Sequence, residues 1–273
     1  MDAVYSTISQ IRQPLAVGIL LILLLWESGH PFFDFFRQRP RERSVHALRN
    51  LLLGILNAAV VAVGFVWLWA GISAWTARES WGLLHWFQLP AWAQLLAAVL
   101  ILDAWTYTWH RMNHEISFFW KFHRVHHSDP HMDVTTANRF HLGEIVFSSL
   151  LRCPILFLGG IQLWHLALYE ALMFANTQVH HANIGLPRKV DRILSWFITT
   201  PGMHKVHHSR LQPETDSNYT ALFSIWDRLF RTFHYHPKPE SIQFGLDEFN
   251  QPADQNLSGL IKTPFKKPPD SKP

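Results

Sequence analysis

The histidines of this chain constrain its fold more than any other feature, because they recur at helical spacings in three distant stretches. His110 and His114 are four residues apart, which places both side chains on one face of a helix. Residues 123–127 and 204–208 each contain the spacing His-x2-His-His, which also presents imidazoles on one helical face. Neutral imidazole suits iron, zinc, copper and nickel. Eight imidazoles are too many for one ion, so the pattern predicts a site for two neighbouring metal ions.

A purely structural interpretation of these histidines is weaker. A lone histidine is usually a core or surface residue, and a single pair at this spacing arises by chance. Two copies of His-x2-His-His together with a His-x3-His are not explained in this way. The single cysteine, Cys153, excludes an intrachain disulfide and a thiolate cluster, so histidine and not cysteine carries any metal here. We interpret as structural the histidines that fit no such spacing: His30, His46, His85, His165, His234 and His236.

The composition favours an integral membrane protein. Hydrophobic residues make up 48% and charged residues 16% of the chain, whereas soluble domains contain about 25% charged residues. The net charge is only +4, and the arginines cluster beside apolar stretches. This distribution indicates a membrane surface as the partner and argues against nucleic acid.

Three apolar segments before the first histidine predict membrane-spanning helices. The first is centred on residues 15–26, the second covers residues 51–75, and the third runs from about Ala91 to Trp109 and leads directly into His110. No small-residue cleavage site follows the first segment, which argues against a signal peptide.

The arginines predict the orientation of these spans. The loop between the first two spans is basic, which places it in the cytoplasm by the positive-inside rule. Its arginines are Arg37, Arg39, Arg41, Arg43 and Arg49. The third span would then deliver His110 to the cytoplasmic face. We expect residues 110–139 and 204–273 on the same side.

A later apolar region predicts two shorter helices, at about residues 144–158 and 161–178, which turn at Gly159 and Gly160. They would form a membrane hairpin over about residues 144–178 that enters and leaves by the cytoplasmic face. Residues 221–233 predict an amphipathic helix that lies at the membrane interface or caps the metal site.

The predicted fold is therefore all-α. We expect a polytopic membrane protein with about four membrane-embedded helices and a cytoplasmic helical cap that holds a histidine-rich dimetal site. The predicted division is an N-terminal transmembrane scaffold (1–109), a catalytic region (110–236) and a polar, partly disordered C-terminal tail (237–273).

The chain resembles the membrane-bound fatty acid hydroxylase and sterol desaturase superfamily. That family is marked by His-x3-His, His-x2-His-His and a later His-x2-His-His, in the order found here. The surrounding sequences match as well, over residues 103–233: WHRMNHE, KFHRVHHSD, TTANRFHLGE, HHANIGLP and DSNYTALFSIWDRLF. The chain departs from the pattern at Asn176, where some relatives place another histidine, and at Arg231, where glycine is frequent.

The resemblance implies a non-haem di-iron centre that uses O2 as co-substrate to hydroxylate or desaturate a lipid C–H bond, such as one in a sterol or fatty acyl chain. The electrons would come from a separate donor protein, because the chain has no haem or flavin motif. Two other functions remain open: a membrane metal-binding protein or transporter, and a di-zinc lipid hydrolase. Transport would favour polar groups near the bilayer midplane, whereas these histidines follow the predicted helix ends.

We expect nine histidines to bind metal. These are His110, His114, His123, His126, His127, His180, His204, His207 and His208. His181 is the alternative to His180, because two adjacent residues of a helix do not easily face one point.

Other polar residues are candidates to orient these imidazoles. Asp103 lies inside an apolar span on one helical stripe with Tyr107, His110 and His114. It would either orient a ligand or make a structural hydrogen bond to a neighbouring helix. His141 would be a further ligand or an orienting residue. Weaker candidates to orient the imidazoles are Asp129, Asp133, Glu144, Asp216 and Asn218.

Overall fold

The computed structural model of the chain describes residues 2–267, which form thirteen α-helices and three short 3₁₀ helices without a β-strand. The α-helices are α1 (Asp2–Gly29), α2 (Pro40–Gly64), α3 (Val66–Arg78), α4 (Leu83–Trp86), α5 (Ala91–Glu115), α6 (Ser117–His127), α7 (Leu142–Gly159), α8 (Leu163–His181), α9 (Arg188–Leu194), α10 (Pro201–His207), α11 (Gln212–Thr215), α12 (Ile225–Leu229) and α13 (Leu257–Lys262). The 3₁₀ helices are Val134–Asn138, Pro239–Ser241 and Thr263–Phe265. The predicted all-α class is confirmed.

Three helices are long and apolar enough to cross a membrane by themselves. They are α1 over Val4–Gly29, α2 and α7. A fourth candidate span is the pair Val66–Trp86 and Ala91–Glu115, which is bent by 86°. Three to four spans confirm the predicted polytopic membrane protein. The predicted second span differs in detail, because α2 ends at Gly64 and Phe65 interrupts the helix before α3 begins.

The predicted turn at Gly159 and Gly160 joins α7 to α8, and it packs tightly against the loop before α4. Gly160 has a φ of 64°, and a Cβ at this residue would lie 2.5 Å from the carbonyl oxygen of Trp81. A Cβ on Gly82, whose φ is 100°, would lie 2.3 Å from the backbone nitrogen of Gly160. The close approach of these two loops therefore requires glycine on both sides.

A hydrophobic core lies between the spanning helices and positions α5 and α8, which lead to the histidines. Trp69 of α3, Leu102 of α5 and Leu166 of α8 are among its buried members. On the other side of α8, Leu23 of α1 packs with Ile184, just beyond the end of α8. The ends of α5 and α8 are thereby fixed relative to each other.

One of the two C-terminal segments differs from the sequence-based prediction. Residues 221–233 contain one short helix, α12, and not a helix throughout. Residues 237–267 pack against the rest of the protein although their composition predicts partial disorder. Leu260 is fully buried with Leu53 and Val125, and Gln255 accepts a hydrogen bond from Arg139 Nη2 at 2.6 Å. The rest of the predicted tail, residues 268–273, lies outside the described residues.

Replacing Gly160 with alanine should destabilise the protein. The new Cβ would clash with the Trp81 carbonyl, and a left-handed non-glycine residue costs about 1–3 kcal/mol. We expect a lower midpoint of thermal unfolding in detergent. Gly18→Ala is the matched control, since nothing lies within 4 Å of that position in α1. Equal midpoints for the Gly160 variant and the wild type would contradict the close approach of the two loops.

Candidate metal centre

Nine histidines converge on two adjoining groups. In each group, one ring nitrogen from every histidine lies within 4.8 Å of the others. The first histidine group consists of His110, His114, His123, His127 and His207. The second histidine group consists of His126, His181, His204 and His208. The groups are neighbours, because the ring of His208 lies 4.5 Å from the rings of both His126 and His127. The three sequence motifs therefore meet at one place, as their spacing predicts.

Local structure explains how the motifs meet. Helix α5 carries His110 and His114 and ends at Glu115, where the extended residue Ile116 turns the chain into α6. Helix α6 thus packs back beside α5 and presents His123 and His127 to the first group and His126 to the second. Thr200 begins α10 by accepting a hydrogen bond from Met203 N at 3.3 Å. Helix α10 then directs the last motif toward the other two.

Backbone carbonyls fix the protonation of three imidazoles. His110 Nδ1 lies 2.7 Å from the carbonyl oxygen of Tyr219, and His207 Nδ1 lies 2.7 Å from that of Ser217. His181 Nδ1 lies 2.8 Å from the carbonyl oxygen of its helical neighbour Thr177. A carbonyl oxygen can only accept, so each Nδ1 donates and carries the proton. Each Nε2 is therefore left with a free lone pair.

Two carboxylates orient further members of the first group. His123 Nδ1 donates to Glu144 Oε1 at 2.9 Å, and His114 Nδ1 donates to Asp216 Oδ1 at 3.2 Å. Contacts of this kind are typical of metal-binding histidines, which usually donate the outer ring nitrogen to a carboxylate or a carbonyl.

The inner ring nitrogens face one another in a way that favours bound cations. His110 Nε2 lies 3.1 Å from His123 Nε2, although both rings carry their proton on Nδ1. Two lone pairs at this distance repel unless a positive ion lies between them. His114 Nε2 and His207 Nε2 are buried without a hydrogen-bond partner among the described residues. In the second group, His181 Nε2 lies within 3.1 Å of two more Nε2 atoms. The residues present therefore fit a pair of metal ions.

Burial keeps the imidazoles in the neutral form that binds metal. It lowers the pKa of His207 to about 3. Burial, together with neighbouring histidines, lowers the pKa of four more members of the groups well below the ordinary value of 6.5: His126, His127, His204 and His208. These five rings are thus unprotonated at neutral pH without help from the metal.

The structure brings His181, and not His180, into the second group. The two residues are adjacent at the end of α8, and their side chains diverge. The ring of His180 lies 4.0 Å from that of His204, but its Nδ1 points toward Asn176 at 3.4 Å. Asn176 itself donates to the carbonyl oxygens of Thr199 and Ala221. Asn176 thus connects two loops to α8 by hydrogen bonds, and it belongs to neither histidine group.

Asp103 and His141 have structural partners in place of the expected ones. Asp103 accepts hydrogen bonds from Tyr169 Oη, Trp226 Nε1 and Phe223 N, and from no histidine among the described residues. This is the structural alternative left open by the sequence. His141 begins α7 by accepting a hydrogen bond from the Gly143 amide, and its Nε2 lies 3.1 Å from the Ile261 carbonyl oxygen. Both ring nitrogens of His141 are thereby used.

Sequence reasoning ranked Glu144 and Asp216 too low as orienting residues. A signal for Glu144 existed, because a carboxylate that is buried beside an apolar span is costly unless it has a partner. The carbonyl acceptors at Thr177, Ser217 and Tyr219 had no comparable signal, since every residue carries the same backbone group.

Fold and site together define a polytopic helical membrane protein with two adjoining histidine groups, each of which could hold a metal ion. Residues 95–232, about half of the chain, match the model of the fatty acid hydroxylase family. The chain therefore belongs to this family, as the resemblance of its motifs predicts.

Among known proteins, the chain is similar to an ornithine lipid hydroxylase of Rhizobium tropici, with 29% identity over 84% of this chain and 69% of the relative. It is 33% identical to an alkylglycerol monooxygenase of Xenopus tropicalis over 53% of this chain and 31% of that protein. It is 24% identical to the cholesterol 25-hydroxylase of Mus musculus over 59% and 57%. The chain thus spans less than two thirds of the frog and mouse proteins. No solved structure matches it.

The two adjacent histidines of α8 can be separated by mutation. His181→Ala removes the Nε2 that lies 3.0 Å from His204 Nε2 and 3.1 Å from His126 Nε2. We expect the metal content per chain to fall to about half, through loss of the ion in the second group. His180→Ala should retain most of the metal. The measurement is elemental analysis of the purified variants, and an equal loss in both would contradict the grouping.

Glu144 and Asp103 should respond differently to loss of charge. Glu144→Gln leaves His123 with an uncharged acceptor, and loss of such a partner usually weakens metal affinity by ~10–100-fold. Asp103→Asn turns one acceptor atom into a donor among three donors, so it should lower thermal stability while the folded fraction keeps its metal. Competition with a chelator measures the first effect and thermal unfolding the second. Loss of metal affinity in folded Asp103→Asn would return that residue to an orienting role.

Proposed function

We propose that this protein is a membrane-bound non-haem di-iron oxygenase that hydroxylates a C–H bond of a lipid. The observation that carries the proposal is the pair of adjoining histidine groups, whose neutral rings direct lone pairs at one another beside membrane-spanning helices. Membership of the fatty acid hydroxylase family supports the same conclusion.

The reaction consumes a lipid R–H, O2, two electrons and two protons and yields R–OH and water. Two bound iron ions would supply the redox chemistry with O2 that an unactivated C–H bond requires. The protein residues hold and orient these ions. Neutral imidazoles leave the positive charge on the metals, and the acceptors on Nδ1 keep each ring in the orientation that binds. Burial of the ligand rings keeps water away from the reacting atoms.

The proposed ligands are the nine histidines of the two groups, with His181 in place of His180. Glu144 and Asp216 would orient His123 and His114. Within the chain, residues 1–109 would serve as the membrane scaffold and residues 110–236 as the catalytic region.

The lipid class is the part of the proposal for which the relatives are most informative. The names of these relatives refer to an ornithine lipid, an alkylglycerol and cholesterol. All three are membrane-soluble, so we propose a substrate that reaches the centre from the bilayer. The same names refer to hydroxylases or monooxygenases, which favours hydroxylation over desaturation.

The remaining parts of the proposal concern the side of the membrane on which the metal centre lies and the source of electrons. We propose that the metal centre faces the cytoplasm, as the arginines before and within α2 favour. The two electrons would come from a separate donor protein that docks on that side.

Two other functions receive less support. A transporter would present its metal ligands along a path through the bilayer, whereas these histidines lie at the ends of helices and in α6 and α10. A di-zinc hydrolase usually includes carboxylate ligands, and the two groups here consist of histidine alone. We therefore prefer the oxygenase.

The proposal is tested with protein purified without added metal and reconstituted with membrane lipids. We expect about two iron ions per chain and a hydroxylated lipid that contains oxygen from labelled O2. His126→Ala, which removes a ligand of the second group, is the inactive control. Zinc in the purified protein together with ester hydrolysis would contradict the oxygenase, as would a hydroxyl oxygen derived from water.

A further inference from the structure

The surface of the cap carries a large exposed apolar patch that the metal centre does not explain. It is formed by α9, the residues after it, and α12. Four of its side chains are more than 60% exposed: Ile193 at 62%, Trp196 at 61%, Phe197 at 67% and Leu229 at 63%. We call this set the cap patch: Val190, Ile193, Trp196, Phe197, Ile225, Leu229 and Phe230. Apolar patches of this kind mark binding surfaces.

The two halves of the cap patch form one continuous surface. Ser224 N donates to the carbonyl oxygen of Phe197 at 3.2 Å. The guanidinium of Arg228 lies 3.9 Å from the centre of the Trp196 ring and donates to the Ser195 carbonyl at 2.9 Å. The hydrophobic side chains of α9 and α12 are therefore held side by side.

The charges that surround the cap patch are positive. The two segments that carry the cap patch, residues 188–197 and 225–231, contain two acidic side chains, Asp191 and Asp227. Both are buried. Asp191 accepts a hydrogen bond from Gly202 N, and Asp227 from Tyr219 N. Arg188 has an acidic partner, Glu240, at 3.2 Å. The basic residues of the two segments are Arg188, Lys189, Arg192, Arg228 and Arg231.

The cap patch continues from the membrane-embedded part of the protein. Trp226 Nε1, in α12, donates to Asp103 of α5 at 2.8 Å. The ring of Phe230 stacks on Tyr107 of α5, with ring centres 5.2 Å apart. Asp103 and Tyr107 lie between the apolar first half of α5 and His110. The patch therefore lies beside α5 where the helix leaves its apolar half, at the depth expected for a membrane interface.

We infer that the cap patch is immersed in the headgroup region of an anionic lipid leaflet. Exposed tryptophan and phenylalanine beside lysine and arginine are typical of surfaces that lie in the membrane interface. Negatively charged lipids complement the basic rim. This inference does not depend on the proposed reaction, because it requires only that the protein spans a membrane.

The contact between the cap patch and the lipid headgroups also determines how deep the metal centre lies relative to the membrane. Tyr107 contacts Phe230 on one side and Tyr219 on the other, with ring centres 5.2 and 6.1 Å apart. Tyr219 in turn lies 5.1 Å from the ring of His114. Two tyrosine rings thus separate the immersed surface from the first histidine group. A lipid substrate in the same leaflet would therefore already lie close to the metal centre.

The inference is tested by fluorescence quenching in nanodiscs that each contain one copy of the protein. In a Cys153→Ser background, a single cysteine replaces Phe197 in the patch, or Asn250, which is exposed in the C-terminal segment. Each carries the same environment-sensitive dye. Lipids with a spin label near the headgroup should quench the dye at position 197 several-fold more than the dye at position 250.

Lipid charge provides the second arm of the experiment. We expect stronger quenching at position 197 in discs that contain phosphatidylglycerol than in discs of phosphatidylcholine alone. The combined variant Lys189→Gln, Arg192→Gln, Arg231→Gln should remove that difference, and thermal unfolding checks that it remains folded. Equal quenching at both positions would overturn the inference, as would quenching that ignores lipid charge. Protection of position 197 only in discs with two copies would assign the patch to a second copy of this chain.

Discussion

The opposition of imidazole lone pairs is the interaction on which the site depends. His110 Nδ1 donates its proton in a hydrogen bond to the Tyr219 carbonyl oxygen, and His123 Nδ1 donates to Glu144. The Nε2 atoms of the two rings therefore face each other at 3.1 Å without a hydrogen between them. This arrangement is unfavourable in the protein alone and becomes favourable when a cation neutralises both lone pairs. The affinity for metal is therefore built into the partners of Nδ1 as much as into the ligands.

Those outer partners depend on a loop that is itself held by a buried carboxylate. Asp227 accepts hydrogen bonds from Tyr219 N at 2.8 Å and from the hydroxyl of Thr220. These bonds fix the loop whose carbonyl at Tyr219 receives the proton of His110. Asp227 is fully buried, and a carboxylate in this position is tolerated only because its oxygens are so well supplied with donors. From the sequence Asp227 is expected to be structural, and its hydrogen bonds agree: it lies in α12 and stabilises the neighbouring loop.

Periodicity along the chain predicts much of the site, but it fails where neighbouring elements decide. The histidine motifs converge because each occupies one helical face, and the α7–α8 turn lies at Gly159 and Gly160 because only glycine tolerates the close approach there. The choice between His180 and His181 differs in kind. Both residues lie in the last turn of α8, and their roles depend on which of them faces α6 and α10. Spacing along the chain does not contain that information.

Asp103 illustrates the same distinction within the membrane. Its helical stripe with His110 correctly indicates that an intramembrane carboxylate needs a partner, but the partners come from α8 and the cap: Tyr169, Phe223 and Trp226. Removing a charged acceptor from three buried or partly buried donors leaves them unsatisfied, which is more costly than the absence of the whole network. The carboxylate therefore connects the cap to α5. This connection lies about two helical turns from His110, at 3.6 residues per turn. By that connection one residue couples the position of the cap on the membrane to the position of the ligands, although it contacts none of them.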